Sequence, residues 1–162
     1  MKICFLLTHS ESFLLLKPEI DKFAKNYFKV ESIELVKHYY ESFNARNWDG
    51  MLACLDENVR HDANQGGSHY GLEYFRNFVK HMEDCYAEEL KDLTYMANEN
   101  GERIAVEFTV HGTYLKTDGD LPPAKGQKYI LPAGAFLEVK NGKISRVTTY
   151  YNLEDWLKQI AA

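Results

Sequence analysis

Asp62 is the residue whose type and position most clearly allow chemistry. It closes the strand-like run Asn58-Val59-Arg60-His61 and precedes a turn at Gly66 and Gly67. A carboxylate buried beside apolar groups has a raised pKa and can take a proton from a carbon next to a carbonyl. We therefore expect Asp62 to be a general base with a pKa near neutrality. The structural alternative is an Asp that caps the following turn.

His61 directly precedes Asp62. In a regular strand its side chain points to the opposite face. We therefore expect His61 to face away from a pocket built around Asp62, where it forms a local hydrogen bond or contacts a second subunit. A role for His61 as a ligand or catalytic group is the less favoured alternative.

The remaining histidines and cysteines show no metal-binding pattern. No H-E-x-x-H or C-x-x-C spacing occurs, and neither a P-loop nor a G-x-G-x-x-G motif is present. We therefore expect no metal, no disulfide and no nucleotide cofactor, and a reducing, cytoplasmic compartment. The residues concerned are His9, His38, His61, His69, His81, His111, Cys4, Cys54 and Cys85.

Composition indicates one globular domain with little affinity for nucleic acid or membranes. The chain has 162 residues and a net charge of −5. No stripe of Lys or Arg is present, which argues against a nucleic-acid partner. No stretch approaches the ~20 apolar residues that span a bilayer. The aromatic content of 14% suits either a large core or a pocket for a flat apolar ligand.

The N-terminal residues 1–29 are predicted to be a peripheral appendage, and residues 30–162 the single domain. Two short apolar runs, 3–7 and 13–16, are separated by polar residues. This pattern lacks the unbroken apolar region and cleavage site of a signal peptide. An extra strand or helix, a docking arm, or residues encoded upstream of the true start all fit the segment.

Periodicity predicts helices first and strands afterwards. Apolar residues recur at helical spacing over 31–47, a shorter helix capped by Asn47 carries residues 48–55, and a third helix follows Gly71. Strand-like segments occupy 90–96, 103–115, 128–139 and 143–152, with one Asn-Gly between the first two and another between the last two, and a last helix covers 153–160. This order predicts an α+β fold with helices on one face of a curved, mainly antiparallel sheet.

The two faces of the predicted strand 131–139 differ in character. One carries only apolar residues, and the other carries Pro132, Gly134, Phe136 and Glu138. If helices cover one side of the sheet, a second copy of the chain would cover the other. We therefore expect a homodimer through the outer sheet face.

Three stretches carry a resemblance to a known superfamily: 61–67 (HDANQGG), 131–136 (LPAGAF) and 148–153 (TTYYNL). With the order of elements, they make residues 30–160 resemble the nuclear transport factor 2-like superfamily, and within it the ketosteroid isomerase-related and SnoaL-like polyketide cyclase proteins. The resemblance implies a cone-shaped α+β barrel with one apolar pocket for a small molecule.

The isomerase likeness implies roles for individual residues. Asp62 matches the catalytic base, and Tyr39 matches a tyrosine that donates a hydrogen bond to the substrate oxygen. The alternative for Tyr39 is a core tyrosine of the first helix, although its neighbour Tyr40 fits the apolar stripe better. The position of the isomerases' second acid is Gly134, which cannot donate a proton. The cyclases' late acid corresponds to Asn152, an amide that holds a hydrogen bond but carries no proton.

Residues near the C-terminus are predicted to contact substrate. The isomerase comparison places Tyr151 in the pocket and the cyclase comparison places Asn152 there, and Phe136 is assigned to the same role. We expect a cofactor-independent isomerase- or cyclase-like enzyme that abstracts a proton next to a carbonyl of a small apolar molecule. The alternatives are a binding module without catalysis and, if the pocket is filled, an interaction domain.

Overall fold

The computed structural model describes residues 9–64 and 66–161, with side chains described from residue 19 onward. The elements are α1 (His9–Asn44), α2 (Trp48–Ala53), β1 (Leu55–Asp62), β2 (Ser68–Tyr70), α3 (Leu72–Cys85), β3 (Tyr86–Ala97), β4 (Arg103–Tyr114), β5 (Lys128–Lys140), β6 (Lys143–Tyr151) and α4 (Leu153–Ala161).

The strands form one curved, open sheet in the order β2-β1-β6-β5-β4-β3. All neighbours are antiparallel except β1 and β6, which run parallel. Helix α3 packs against β1, α1 against β3 and α4 against β5. This architecture confirms the predicted α+β fold with helices on one face of the sheet.

Alternation along β5 separates the two faces of the sheet. Leu131, Ala135 and Leu137 are buried beneath the helices, whereas Ile130 and Phe136 are 55% and 49% exposed on the other side. We call these the concave and the convex face. The wholly apolar face of β5 is therefore the one that the helices cover. Any case for a second subunit rests on the exposed apolar residues of the convex face.

Most predicted elements are present, with shifted ends. The Asn47 side chain accepts a hydrogen bond from the Gly50 amide at 3.1 Å, which confirms the predicted cap of α2. Leu55, predicted in that helix, is instead the first residue of β1. Strand β3 begins at Tyr86, earlier than predicted, because α3 ends directly before it. The short strand β2 was not predicted.

Helix α1 begins well before the amphipathic segment that predicted it. Residues 9–30 continue the same helix, so the predicted boundary at residues 29 and 30 falls inside α1. The first predicted apolar run, 3–7, lies outside the described residues. Among the described helices, none is both long and apolar enough to cross a membrane.

Candidate active site

A cavity of about 450 Å³ lies between the concave face and helices α1 to α3. This volume is within the range of small-molecule sites, and its wall is mainly aromatic and aliphatic. The residues around it are Tyr39, Tyr40, Phe43, Trp48, Met51, His61, Asp62, Ala63, Asn64, Gly66, Phe75, Phe78, Val79, Met82, Tyr86, Glu88, Leu90, Phe108, Val110, Asp118, Leu121, Leu131, Ala133, Val147, Thr149, Tyr151 and Trp156.

His61 occupies the concave face of β1. It is only 6% exposed, and its ring lies 4.4 Å from that of Phe78 and 4.9 Å from that of Phe75. Its Nδ1 atom is buried and has no hydrogen-bond partner among the described side chains. Burial chiefly, helped by nearby His69, lowers the pKa of the imidazole below its ordinary value. The ring is therefore neutral near pH 7, with unused hydrogen-bonding capacity at the cavity wall.

The Asp62 side chain is bound on the convex side of the sheet. Its Oδ1 accepts hydrogen bonds from Arg60 Nε at 2.7 Å and Ser68 Oγ at 2.6 Å, and its Oδ2 accepts one from Thr148 Oγ1 at 2.8 Å. Thr148 pairs with the exposed Phe136 across the sheet, and paired residues share a face. Asp62 borders the cavity, but both carboxylate oxygens are engaged in this cluster.

The expected rise in the pKa of Asp62 is wrong. Burial alone would raise the pKa, but the hydrogen bonds from Ser68, Arg60 and Thr148, with the charge of Arg60, outweigh it. The net pKa of Asp62 lies below its ordinary value because all of these partners favour the ionised carboxylate. A carboxylate whose pKa is lowered is a weaker base than the sequence led us to expect.

Tyr39 lies in the cavity wall, as the resemblance implied. It is 3% exposed, and its ring meets that of Tyr40 edge-on at 5.0 Å. Burial raises the pKa of the Tyr39 phenol well above its ordinary value. The hydroxyl therefore stays protonated near neutral pH and is able to donate a hydrogen bond to a ligand.

Glu88 supplies an acid to the cavity that the sequence did not reveal. Its carboxylate accepts a hydrogen bond from Tyr129 Oη at 2.5 Å, and Tyr129 packs directly over Gly112, where any Cβ would collide with the ring. Burial raises the pKa of Glu88 despite that hydrogen bond, which lowers it. Placing β3 from residue 90 in the sequence left out the alternation of Tyr86, Glu88 and Leu90 that turns Glu88 inward.

The structure resolves the choice between the last two predicted contacts. Tyr151 lines the cavity, and its backbone oxygen accepts a hydrogen bond from Asn64 Nδ2 at 3.2 Å. Asn152 is exposed, and its Oδ1 accepts a hydrogen bond from the Asp155 amide at 3.1 Å, so it caps the start of α4. Of the two, only Tyr151 is placed to touch a ligand.

Phe136 lies outside the cavity. Its side chain is 49% exposed on the convex face, where its ring lies 5.9 Å from that of Tyr150. Gly134 shares that face by alternation, and Ala133 beside it lines the cavity. An acid at position 134 would therefore point away from the cavity, so the missing second acid has to be sought on another strand.

The family of the chain follows from comparison with known proteins. A model of the SnoaL-like domain matches residues 36–147. The chain belongs to the SnoaL-like family. No curated protein matches the sequence.

Solved structures agree with this membership. A candidate polyketide cyclase from Pseudomonas putida KT2440 is 52% identical, with a TM-score of 0.79 over 80% of this chain and 98% of that one. Another from Xanthomonas campestris is 47% identical, with a TM-score of 0.80 over 82% and 98% of the two chains. An NTF2-like protein from Burkholderia pseudomallei, 21% identical with a TM-score of 0.69 over 82% and 98%, shares the fold. This SnoaL-like protein therefore has the nuclear transport factor 2-like fold.

Proposed function

We propose that this SnoaL-like protein is a cofactor-independent isomerase or cyclase that removes a proton next to a carbonyl of a small apolar, polyketide- or steroid-like substrate. The observation that carries the proposal is His61, a neutral imidazole with an unpaired Nδ1 in the wall of an aromatic cavity. We assign the base to His61 in place of the sequence-based choice, Asp62.

The chemistry of the proposed base follows from its surroundings. Burial lowers the pKa of His61, so the imidazole is unprotonated near neutral pH and has one nitrogen able to accept a proton. Phe75 and Phe78 hold the ring in a dry, apolar position. A carbon acid gives up its proton more readily where water is excluded and the charge that forms is stabilised by fixed groups.

Two further groups support such a reaction. Tyr39, protonated and in the same cavity, would donate a hydrogen bond to the enolate oxygen. Glu88, whose pKa is raised by burial, would relay the proton that His61 has taken back to the substrate, which restores His61 and completes an isomerisation or a ring closure. The two relatives described as candidate polyketide cyclases support a polyketide-like substrate.

The decisive experiment compares His61→Asn with Asp62→Asn in deuterium exchange from solvent into a panel of cyclic ketones. We expect the His61 variant to lose about 100-fold or more in exchange rate, as for removal of a general base, and the Asp62 variant to keep most of it. The exposed His38 provides the matched control, His38→Gln. The reverse order of losses would restore Asp62 as the base.

A binding module without catalysis is the second candidate. The observation in its favour is that Gly134 and Asn152 stand at the positions of the second acid in the isomerases and the late acid in the cyclases. Neither residue lines the cavity. Ketones that bind with measurable affinity but exchange no faster than in buffer would establish this alternative. Exchange that depends on His61 would exclude it.

We also propose that the protein is a homodimer through the convex face. Ile130, Phe136 and Tyr150 are 55%, 49% and 53% exposed there and form an apolar surface. Light scattering coupled to size exclusion should give twice the chain mass, and Phe136→Glu should give the single-chain mass. A monomeric native protein would exclude the dimer without affecting the assignment of His61.

A further inference from the structure

Three side chains with metal-binding donors meet at the end of α3. His81 and Cys85 are four residues apart in α3, so they lie on the same side of the helix. Asp118 joins them from the segment between β4 and β5. The donor atoms of the three residues all lie within 4.8 Å of one another. The sequence gives no sign of this cluster because Asp118 is distant along the chain.

The carboxylate of Asp118 is already oriented. Its Oδ1 lies 3.0 Å from His81 Nε2, and its Oδ2 accepts a hydrogen bond from Tyr86 Oη at 2.8 Å. Outer hydrogen bonds of this kind hold the ligands of metal sites in place. The amide of Leu115 donates to the backbone oxygen of Cys85 at 2.8 Å, which fixes the segment to the helix. The donors therefore converge from two elements that are tied together.

The cluster combines a buried and an exposed donor. The Cys85 thiol is 2% exposed, whereas the His81 side chain is 53% exposed. Coordination of a divalent cation by these donors would favour the thiolate and release its proton to solvent.

We propose that His81, Cys85 and Asp118 bind a divalent transition metal of the zinc type. A thiolate, an imidazole and a carboxylate are ligands that zinc accepts, and three protein ligands leave a fourth position for water. Asp118 also lines the cavity, so the metal would sit beside it, next to α3. The proposal goes beyond the isomerase or cyclase function and does not rest on it.

The test is titration of the full chain with zinc against a chromophoric chelator, and with cobalt(II), whose thiolate complex absorbs in the near ultraviolet. We expect one equivalent to bind with a dissociation constant of about 10 µM or lower. Cys85→Ser should abolish the cobalt-thiolate band, and His81→Gln and Asp118→Asn should weaken zinc binding about tenfold or more. Cys54→Ser, at the other buried described cysteine, is the matched control.

Thermal unfolding provides a measurement that does not depend on the buried cysteine. At a hundredfold excess of zinc over its dissociation constant, the Tm of the native chain should rise by about 5 °C. His81 is 53% exposed, so His81→Gln should fold normally and lose most of this rise. No stoichiometric binding, or equal binding by the native chain, His81→Gln and Cys85→Ser, would overturn the proposal.

Discussion

Asp62 and His61, on opposite faces of the sheet, differ in whether their polar side-chain atoms have hydrogen-bond partners. On the convex face, the Asp62 carboxylate is bound by Arg60, Ser68 and Thr148. On the concave side, His61 Nδ1 and Trp48 Nε1 are buried and lack hydrogen-bond partners among the described side chains. Buried polar atoms without partners cost stability, and the proposed role of His61 accounts for such an atom beside the cavity.

This contrast separates a structural cluster from a site. Asp62 joins β1, β2 and β6 through its three partners, whereas the His61 ring packs against Phe75 and Phe78 in the cavity wall. Arg146 Nε on the convex side is also unpartnered. The same guanidinium forms an ion pair with Glu138, in which Arg146 Nη1 lies 3.4 Å from Glu138 Oε1. The four predictions below test whether function depends on the concave face and stability on the convex face.

The largest effect is expected from removing a hydroxyl on each face. Tyr39→Phe should lower the ketone exchange rate about 100-fold, as loss of one oxyanion donor does, with an unchanged Tm. Thr148→Val should lower the free energy of unfolding by about 1 kcal/mol and leave the exchange rate unchanged. Exchange kinetics and urea unfolding of both variants check this, and equal effects on exchange would contradict the division between the faces.

Removal of the Asp62 carboxylate should be the main loss of stability. Asp62→Ala leaves the nearly buried Thr148 hydroxyl without its partner and should cost about 2 kcal/mol in urea unfolding. Asp49→Ala is the matched control, because its ion pair with Arg76 at 3.3 Å is highly exposed and contributes little. A loss no larger than that of the control would show that the cluster is not structural.

His61→Phe should raise the free energy of unfolding, whereas Asp62→Ala lowers it. The new ring joins Phe75 and Phe78 and removes the unpartnered Nδ1, so we expect a gain of about 1 kcal/mol in the free energy of unfolding. Ketone exchange should be lost in the same variant. A large loss of stability would mean that His61 is held by contacts that matter for folding.

The smallest effect concerns pH. The pKa of His61 is lowered in the folded state, so the unfolded chain binds the extra proton first as pH falls, and stability declines below the ordinary value of 6.5. Exchange should decline with an apparent pKa under 6.5. For Asp62 the lowered pKa keeps its stabilisation above the ordinary value of 3.8, and that stabilisation is lost below it.

The free energy of unfolding, measured against pH for the native chain and His61→Phe, isolates the loss of stability that His61 causes below pH 6.5. Their difference in stability should widen as pH falls below 6.5 and then level off. Asp62→Asn should keep the decline in stability below pH 6.5 and lose the further decline below pH 3.8. A constant difference between the native chain and His61→Phe would show that the histidine titrates normally.

Most helices and strands of this fold could be predicted from the periodicity of the apolar residues. The apolar stripe of α3, with Phe75 and Val79 buried, and the Asn47 cap follow from spacing and local chemistry alone. The alternation in β5 correctly separated its two faces, although it did not say which face the helices cover. The ends of β3 could be predicted less well. A bulge at Asp92, with φ of 56°, interrupts the alternation of buried and exposed residues along this strand.

The sequence by itself determined the fold class, the presence of an aromatic-rich interior and the segment that carries the candidate base. Only the tertiary structure decided that the His61 ring lies in the cavity wall while the carboxylate of its neighbour Asp62, which borders the cavity, is bound on the convex side. The reason is the two-residue period of a strand, in which a slip of one position exchanges the faces. Pairing of His61 with Val147 and of Asp62 with Thr148 sets that register, and no local pattern contains it.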